Sequence, residues 1–507
     1  MRIFNLTTLR TAASRCLVCL LIPALALAPA WGQPVGAPSL GPASAVDLSP
    51  ALERRLGEAI MVDGRRDPAY ISDPDISQYL NAMGRRMAAN APGGAPEIEI
   101  FGVRDPVLNA FAMPGGFIGV NTGLIVGTAA ESELAGVVAH EISHVTQRHI
   151  ARGLTQQTKS SHLLLATLAA AVAAALIPGA GNLAAGAAAF GQAAVMEQQL
   201  GFSRDAEQEA DRMGFEILRK SEYDPNGMAQ MFGQLAKAAN LNEGAGGGIY
   251  VSTHPLSIQR MSDMQNRIRQ LPPASYRESD EYWFVRAKSR VIQATDPKAL
   301  RQAVDQMQEE TRTTDTGSAA TIRRSAAWFG ISYAALERRD LKEANRALQR
   351  AEAGSPPSPY LDVQRIDIAL AARDYARALT DSQAGIKRWP GRRSFVLRQA
   401  QALQALGKDK EAIAFLQEQT KRWMGSEPVL FQMLAKSQER VGETVVARQT
   451  MATYYSMMGM LPAALAQLTQ ARTLTQDFYI QSQLDVEIRS IRARIDEDRR
   501  LLERFKS

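Results

Sequence analysis

The chain has 507 residues, of which 46% are hydrophobic and 22% charged, and 58 Lys and Arg against 52 Asp and Glu give a formal charge of +6. That composition excludes a disordered or collagen-like chain, and the length suggests about three domains at roughly 150 residues each. Arg2, Arg10 and Arg15 lie in the first 32 residues, which hold no acid, so the rest carries only +3 with no clustered basic stripe. A nucleic-acid partner is therefore not expected.

The start of the chain reads as an address. A basic segment is followed by an apolar run from Cys16 to Ala28 and then by the small residues Ala28, Ala30 and Gly32. This is the layout of a cleaved secretory signal over residues 1–32. The run is short for a membrane span, and Pro23 interrupts it. Residues 33–48, rich in Pro, Gly, Ala and Ser, read as a flexible leader. Both cysteines, Cys16 and Cys19, fall inside the signal, which leaves the mature chain without a disulfide or a thiolate ligand. A secreted chain without cysteine suggests the bacterial periplasm.

Residues 49–271 mix strand and helix patterns. Glu97 to Val103 alternates apolar and polar, as a half-buried strand does. The short apolar stretch Leu108 to Ala112, the turn Met113-Pro114-Gly115-Gly116 and a return strand Phe117 to Asn121 follow. Thr128 or Ser132 is placed to cap the next helix, whose apolar positions Leu134, Val137, Val138, Ile142 and Val145 recur at helical spacing.

That helix carries His140-Glu141-Ile142-Ser143-His144 in a chain with only five histidines. Residues four apart share one helix face, so both imidazoles can hold one ion, and Glu141 can take a proton from water beside it. With cysteine absent, a His, His and carboxylate set suits catalytic Zn²⁺ with one position open. His149 follows His144 by five residues with no Gly between them, which fails the three-histidine pattern of metzincins. It is expected to point away on the same helix as a surface or packing residue. The third ligand is sought in Phe202 to Asp211, where Glu207 and Asp211 are four apart on a second helix. Glu207 can ligate while Asp211 accepts the second N–H of a ligating histidine. Spacing alone leaves Glu209 in competition with Glu207.

These motifs resemble those of the M48 metallopeptidases. The resemblance rests on HEISH, on SRDAEQEAD, on Asn109 to Gly116 upstream and on Thr253-His254-Pro255 downstream, and it covers roughly residues 51–270. It implies a zincin-like α+β domain with one Zn²⁺ held by His140, His144 and Glu207. Glu141 would be the catalytic base, and the Glu-x-x-x-Asp order favours Glu207 over Glu209 and leaves Asp211 to position a ligand. His254 and Arg204 are the candidate donors to the developing oxyanion. The strand holding Asn109 to Ala112 could pair with an extended substrate. His254 also follows Gly244, Gly246, Gly247 and Gly248, and a mobile imidazole there could fill the open metal position and hold the enzyme off.

Residues 163–199 hold fifteen apolar residues from Leu163 to Ile177, a Pro178-Gly179 break and a second Ala- and Gly-rich run. About twenty residues are needed to span a bilayer. A helical hairpin in the core, a flap over the site and a hairpin dipping into a membrane all fit this segment.

Residues 272–320 read as a helical connector, and residues 321–507 repeat. Ala344, Ala378 and Ala412 are 34 apart, as are Pro356 and Pro390. This is the period of tetratricopeptide repeats, whose stacked helix pairs form a solenoid with a concave groove. Asp362 departs from the pattern at a position where a large apolar residue is expected. The charged stretch Arg489 to Arg504 is expected to be a solvated capping helix. The fold class expected is thus a zincin-like α+β domain followed by an all-α solenoid.

The resemblance implies a periplasmic zinc endopeptidase acting on unfolded or misfolded proteins. Outer-membrane β-barrel chains or their assembly machinery would be recruited through the repeats, with peripheral membrane contact through 163–199. The alternative is a chaperone-like scaffold that holds partners in the groove and seldom cuts.

Overall fold

The computed structural model describes residues 49–156, 202–241, 250, 254–255, 257–276, 278–315, 317–353, 355–423 and 427–503. The expected signal and leader, the segment 163–199, the Gly-rich stretch 244–248 and Thr253 lie outside the described residues.

Two helices open the α+β part. In α1 (Pro50–Gly64) the Ser49 side chain accepts from the Leu52 N–H, and in α2 (Pro74–Ala88) Asp73 accepts from the N–H groups of Asp75 and Ile76. Each helix begins with proline, which lacks only an N–H that the first turn leaves unpaired anyway. Among the described residues there are four short strands: β1 (Tyr70–Ile71) between the two helices, and after them β2 (Glu99–Val103), β3 (Ala110–Met113) and β4 (Phe117–Asn121). They form one sheet in the order β1-β2-β4-β3. β2 runs parallel to β4, with Glu99 opposite Phe117, and β3 runs antiparallel to β4, with Ala110 opposite Val120. β3 is therefore an edge strand.

β2 departs from the half-buried strand expected of it, since Ile100 to Val103 are all buried. Both faces are covered: Ile100 joins the main core with Met83 and Met87 of α2, while Phe101 packs with Met61, Phe111 and Phe117 on the other side.

Among the described residues six helices complete this part: α3 (Thr122–Gly127), α4 (Glu131–Thr146), α5 (His149–Gln156), α6 (Arg204–Lys220), α7 (Asn226–Leu241) and α8 (Ile258–Arg269). α4 is buried from Glu131 to Val145 and packs against β3, α6 and α7. Its N-terminus is not capped by Thr128 or Ser132. Ala130 is the cap residue, and Glu133 reaches back to accept from the Ala129 N–H at 2.6 Å. Thr128 and Ser132 are engaged elsewhere, with the Tyr282 hydroxyl at 2.8 Å and the Asp224 N–H at 3.1 Å. α6 crosses α4 closely at Gly214, where an added Cβ would sit 3.2 Å from the Ala139 carbonyl and the His140 Cα. A side chain there would push the two helices apart beside the histidines.

The rest of the described chain is helical. α9 (Asp280–Gln293) and α10 (Pro297–Thr311) occupy the expected connector. Five hairpins follow: α11 (Ser318–Glu337) with α12 (Leu341–Glu352), α13 (Pro359–Ala371) with α14 (Tyr375–Arg388), α15 (Arg393–Ala405) with α16 (Asp409–Arg422), α17 (Pro428–Arg440) with α18 (Thr444–Met457), and α19 (Leu461–Leu474) with α20 (Phe478–Glu503). The second helices of the first four begin at 341, 375, 409 and 444, close to the expected period. Ala344, Ala378 and Ala412 are fully buried, as small residues at a close helix crossing must be. Asp362 holds its unexpected place because it accepts from the Trp389 indole N–H at 2.8 Å and from Arg365 at 3.0 Å. α20 buries Leu484, Ile488, Ile491 and Ile495 against α19 and its neighbours and turns its charged face outward. Arg55 of α1 meets Glu497 of α20 at 2.7 Å.

The turn inside each of the first four hairpins holds one left-handed residue. Gly407 and Gly442 supply it in the third and fourth, but Arg339 and Arg373 adopt φ of 61° and 62° in the first and second, while Gly459 stands in the turn between the fourth hairpin and the fifth. A side chain in this conformation costs on the order of 1 kcal/mol relative to glycine. Arg373→Gly is therefore expected to stabilise the chain by about 0.5–1 kcal/mol, read as a higher thermal midpoint.

Candidate metal centre

α4 and α6 bring their polar faces together. His140 and His144, one turn apart on α4, place their Nε2 atoms 3.0 Å from each other. Glu207 of α6 lies across from them, with Oε2 3.5 Å from His140 Nε2 and Oε1 3.5 Å from His144 Nε2. His254 enters from the segment before α8, its Nδ1 2.9 Å from Glu207 Oε1 and 3.4 Å from His140 Nε2. All four residues are buried, and their ligand atoms lie within 4.8 Å of one another. A tetrahedral ion with donors at about 2.0–2.1 Å requires donor–donor edges of about 3.3 Å. Three imidazoles and a carboxylate at these separations fit such a cation, with His254 in the fourth corner.

The surroundings hold these donors in place. Asp211, one turn after Glu207 on α6, sits 3.1 Å from His140 Nδ1, so the sequence-expected partner of a ligating histidine meets His140. Arg260 of α8 clamps Asp211 through two bonds of 2.6 and 2.8 Å and reaches Glu207 Oε2 at 2.7 Å. Burial disfavours the Glu207 carboxylate, yet His254 and His140 outweigh it and hold its pKa well below the usual range. Burial likewise opposes ionisation of Asp211, but Arg260 and His140 keep it low. Burial together with His140 drives His144 well below the ordinary imidazole pKa, which keeps it neutral as a ligand must be. Phe202 stacks on His144 with ring centroids 4.0 Å apart, and Tyr250 stacks on His254 at 4.6 Å.

Glu141 is fully buried beside this cluster, with Oε1 3.6 Å from His254 Nε2. Arg204 is exposed at the first position of α6 and makes no hydrogen bond or ion pair to the cluster among the described residues. His149 differs from expectation. α4 ends at Thr146, Arg148 turns with φ of 54°, and His149 begins a separate helix. It is 2% exposed, its Nδ1 lies 2.9 Å from His144 Nδ1, and its Nε2 lies 3.1 Å from Glu209. Glu209 faces His149 and Arg152 rather than the donor cluster. Arg260, Phe202 and Tyr250 are further residues that sequence reasoning did not single out. No local spacing marks them, since each reaches the site only through tertiary packing.

Comparison with known proteins gives this arrangement its family. The model of peptidase family M48 matches residues 74–268, which contain both metal-site helices and His254. The chain carries an M48 peptidase domain. M48 peptidases are metal-dependent hydrolases, and the chain is a metallopeptidase of that type. The chain is 28% identical to the beta-barrel assembly-enhancing protease of Escherichia coli strain K12 over 499 residues, 97% of each chain. It is 35% identical to the putative beta-barrel assembly-enhancing protease of Vibrio cholerae over 277 residues, 54% of this chain and 56% of that relative. The mitochondrial metalloendopeptidase OMA1 of Arabidopsis thaliana is 29% identical over 206 residues, 40% of this chain and 39% of its own. No helix among the described residues is long and apolar enough to cross a membrane.

Proposed function

We propose that this M48 peptidase is a zinc-dependent endopeptidase of the bacterial periplasm that removes misfolded or stalled outer-membrane proteins. The observation that carries the reading is the convergence of His140, His144 and Glu207 beside the buried Glu141. Zinc held by those three residues would supply Lewis acidity toward water and the scissile carbonyl. Asp211 orients the His140 ring, and Arg260 fixes Asp211 and Glu207 in turn. Glu141 takes the proton of the attacking water and passes it to the leaving amine. β3 ends the sheet formed by the described residues, and pairing of an extended substrate strand with it would suit unfolded or edge-exposed β-chains as substrates.

The names of the full-length relatives support a role in β-barrel assembly, and the helical hairpins supply a surface for recruiting such clients or their assembly machinery. Metal analysis and casein cleavage by the purified chain test the proposal. About one zinc per chain, with cutting abolished by a chelator, is the expected result. A chain without zinc would overturn it in favour of the scaffold.

His254 fits the part of a plug better than that of an oxyanion donor. Its Nδ1 sits among the metal donors, where water or substrate would otherwise enter. His254→Ala is expected to raise the rate of casein cleavage several-fold. A loss of activity on every substrate would instead assign it to transition-state stabilisation.

A further inference from the structure

We infer that His149 and Glu209 form a positioning relay for His144, the counterpart of the Asp211 and Arg260 relay on His140. The inference rests on the metal-site reading above and assigns a role to a histidine outside the donor set.

Each ligating imidazole must present a bare nitrogen to the metal and carry its proton on the other nitrogen. For His140 the second nitrogen, Nδ1, faces the Asp211 carboxylate at 3.1 Å. For His144 the second nitrogen faces another imidazole, His149 Nδ1, at 2.9 Å. Two imidazole nitrogens at that distance form a hydrogen bond only if one carries a proton and the other is bare. Glu209 settles which. Its carboxylate lies 3.1 Å from His149 Nε2 and can only accept, so the His149 proton sits on Nε2. His149 Nδ1 is then the acceptor, His144 Nδ1 is the donor, and His144 Nε2 is left bare toward Glu207 and His140. Arg152 donates to the same Oε2 oxygen of Glu209 at 2.7 Å.

The backbone is built for this. α4 stops two residues after His144, and the left-handed Arg148 swings His149 back over the ring it has just left. A continuous helix would carry His149 past that face. Arg148 is held in its turn by Glu53 of α1 at 3.2 Å. His149 is thus buried against His144 and Phe202.

The test is zinc affinity, measured on the full chain by competition with a chromophoric chelator. Removing the outer partner of a metal ligand typically weakens binding 10–100-fold. His149→Leu, which fills space without an acceptor, is expected to lose about that much. His149→Asn, whose amide oxygen can stand near the Nδ1 position, is expected to recover most of it. In the Co²⁺-loaded chain, His149→Leu should also shift the visible absorption bands while His149→Asn leaves them near the parent's. Glu209→Ala, at a partly exposed position that folding tolerates, should weaken zinc about threefold or more and serves should His149→Leu fail to fold. Parental affinity in His149→Leu and Glu209→Ala, or equal losses in the Leu and Asn variants, would overturn the relay. Failure of the metal-site reading would look different: the parent chain would then bind no zinc, or would bind it equally well after His140→Ala.

Discussion

Glu141→Gln is expected to keep its zinc and to lose casein cleavage by at least about a hundredfold, the usual scale for removing a general base. Glutamine preserves the volume and shape of a side chain packed at zero exposure in the middle of α4, so the helix has no reason to move. It cannot take a proton from water. The residues grouped so that they could hold a metal ion are His140, His144, Glu207 and His254, and Glu141 is not among them. Zinc content should therefore separate the base from the ligands. His144→Ala should lower zinc and cutting together, whereas Glu141→Gln should lower cutting alone. Zinc analysis and casein hydrolysis on the same preparations decide the matter. Full activity in Glu141→Gln would remove it as the base, and lost zinc would move it into the donor set.

The parts of this site legible in the sequence are those set by local helix geometry. His140 and His144 had to share a face because they are one turn apart, and the same holds for Glu207 and Asp211. The choice between Glu207 and Glu209 was not legible from spacing. Two residues along a helix rotate the side chain to the opposite side, and which side meets α4 depends on where Gly214 lets the helices touch. Arg260 lies 49 residues from the carboxylate it clamps, so only the fold brings the pair together. His149 was misplaced because a left-handed arginine ends α4, and arginine carries no signal for that conformation. In the helical half the repeated alanines were readable because each marks the same crossing in successive hairpins. Asp362 was not, since its reason is an indole 27 residues away. β2 was misread for a related cause: the cover on its second face comes from α1 and β3, outside its own alternation.

Lys288 makes the second large prediction, and it concerns how the peptidase is joined to the hairpins. Lys288 of α9 is 3% exposed and pairs with Asp73 at 2.7 Å and Asp75 at 2.9 Å, both at the start of α2. Ser394 of α15 donates to the same Asp75 carboxylate. One buried group thus ties the first turn of a peptidase helix to the connector and to the solenoid. Burial alone would lift the Asp75 pKa, but Lys288, Arg398 and Ser394 outweigh it and hold the group below its ordinary value. Burial alone would lower the Lys288 pKa, but Asp73 and Asp75 hold it well above its ordinary value. Removing the cation leaves a buried carboxylate uncompensated. Lys288→Met is therefore expected to cost about 3–5 kcal/mol at neutral pH, read from urea unfolding. Converting Asp75 to Asn in the same chain should recover part of the loss, because the uncompensated charge goes with it. The pH dependence has a definite sign. A carboxylate with a depressed folded pKa contributes stability above its unfolded pKa of about 3.9 and loses it as pH falls through the folded value. A lysine with a raised pKa contributes fully below about 10.4, so it adds no change in the acid range. The deficit of Lys288→Met should accordingly be largest near neutrality and shrink toward pH 4, as Asp75 in the variant takes up a proton that the parent refuses. A deficit constant between pH 7 and pH 4 would mean that Lys288 acts through packing rather than through its charge.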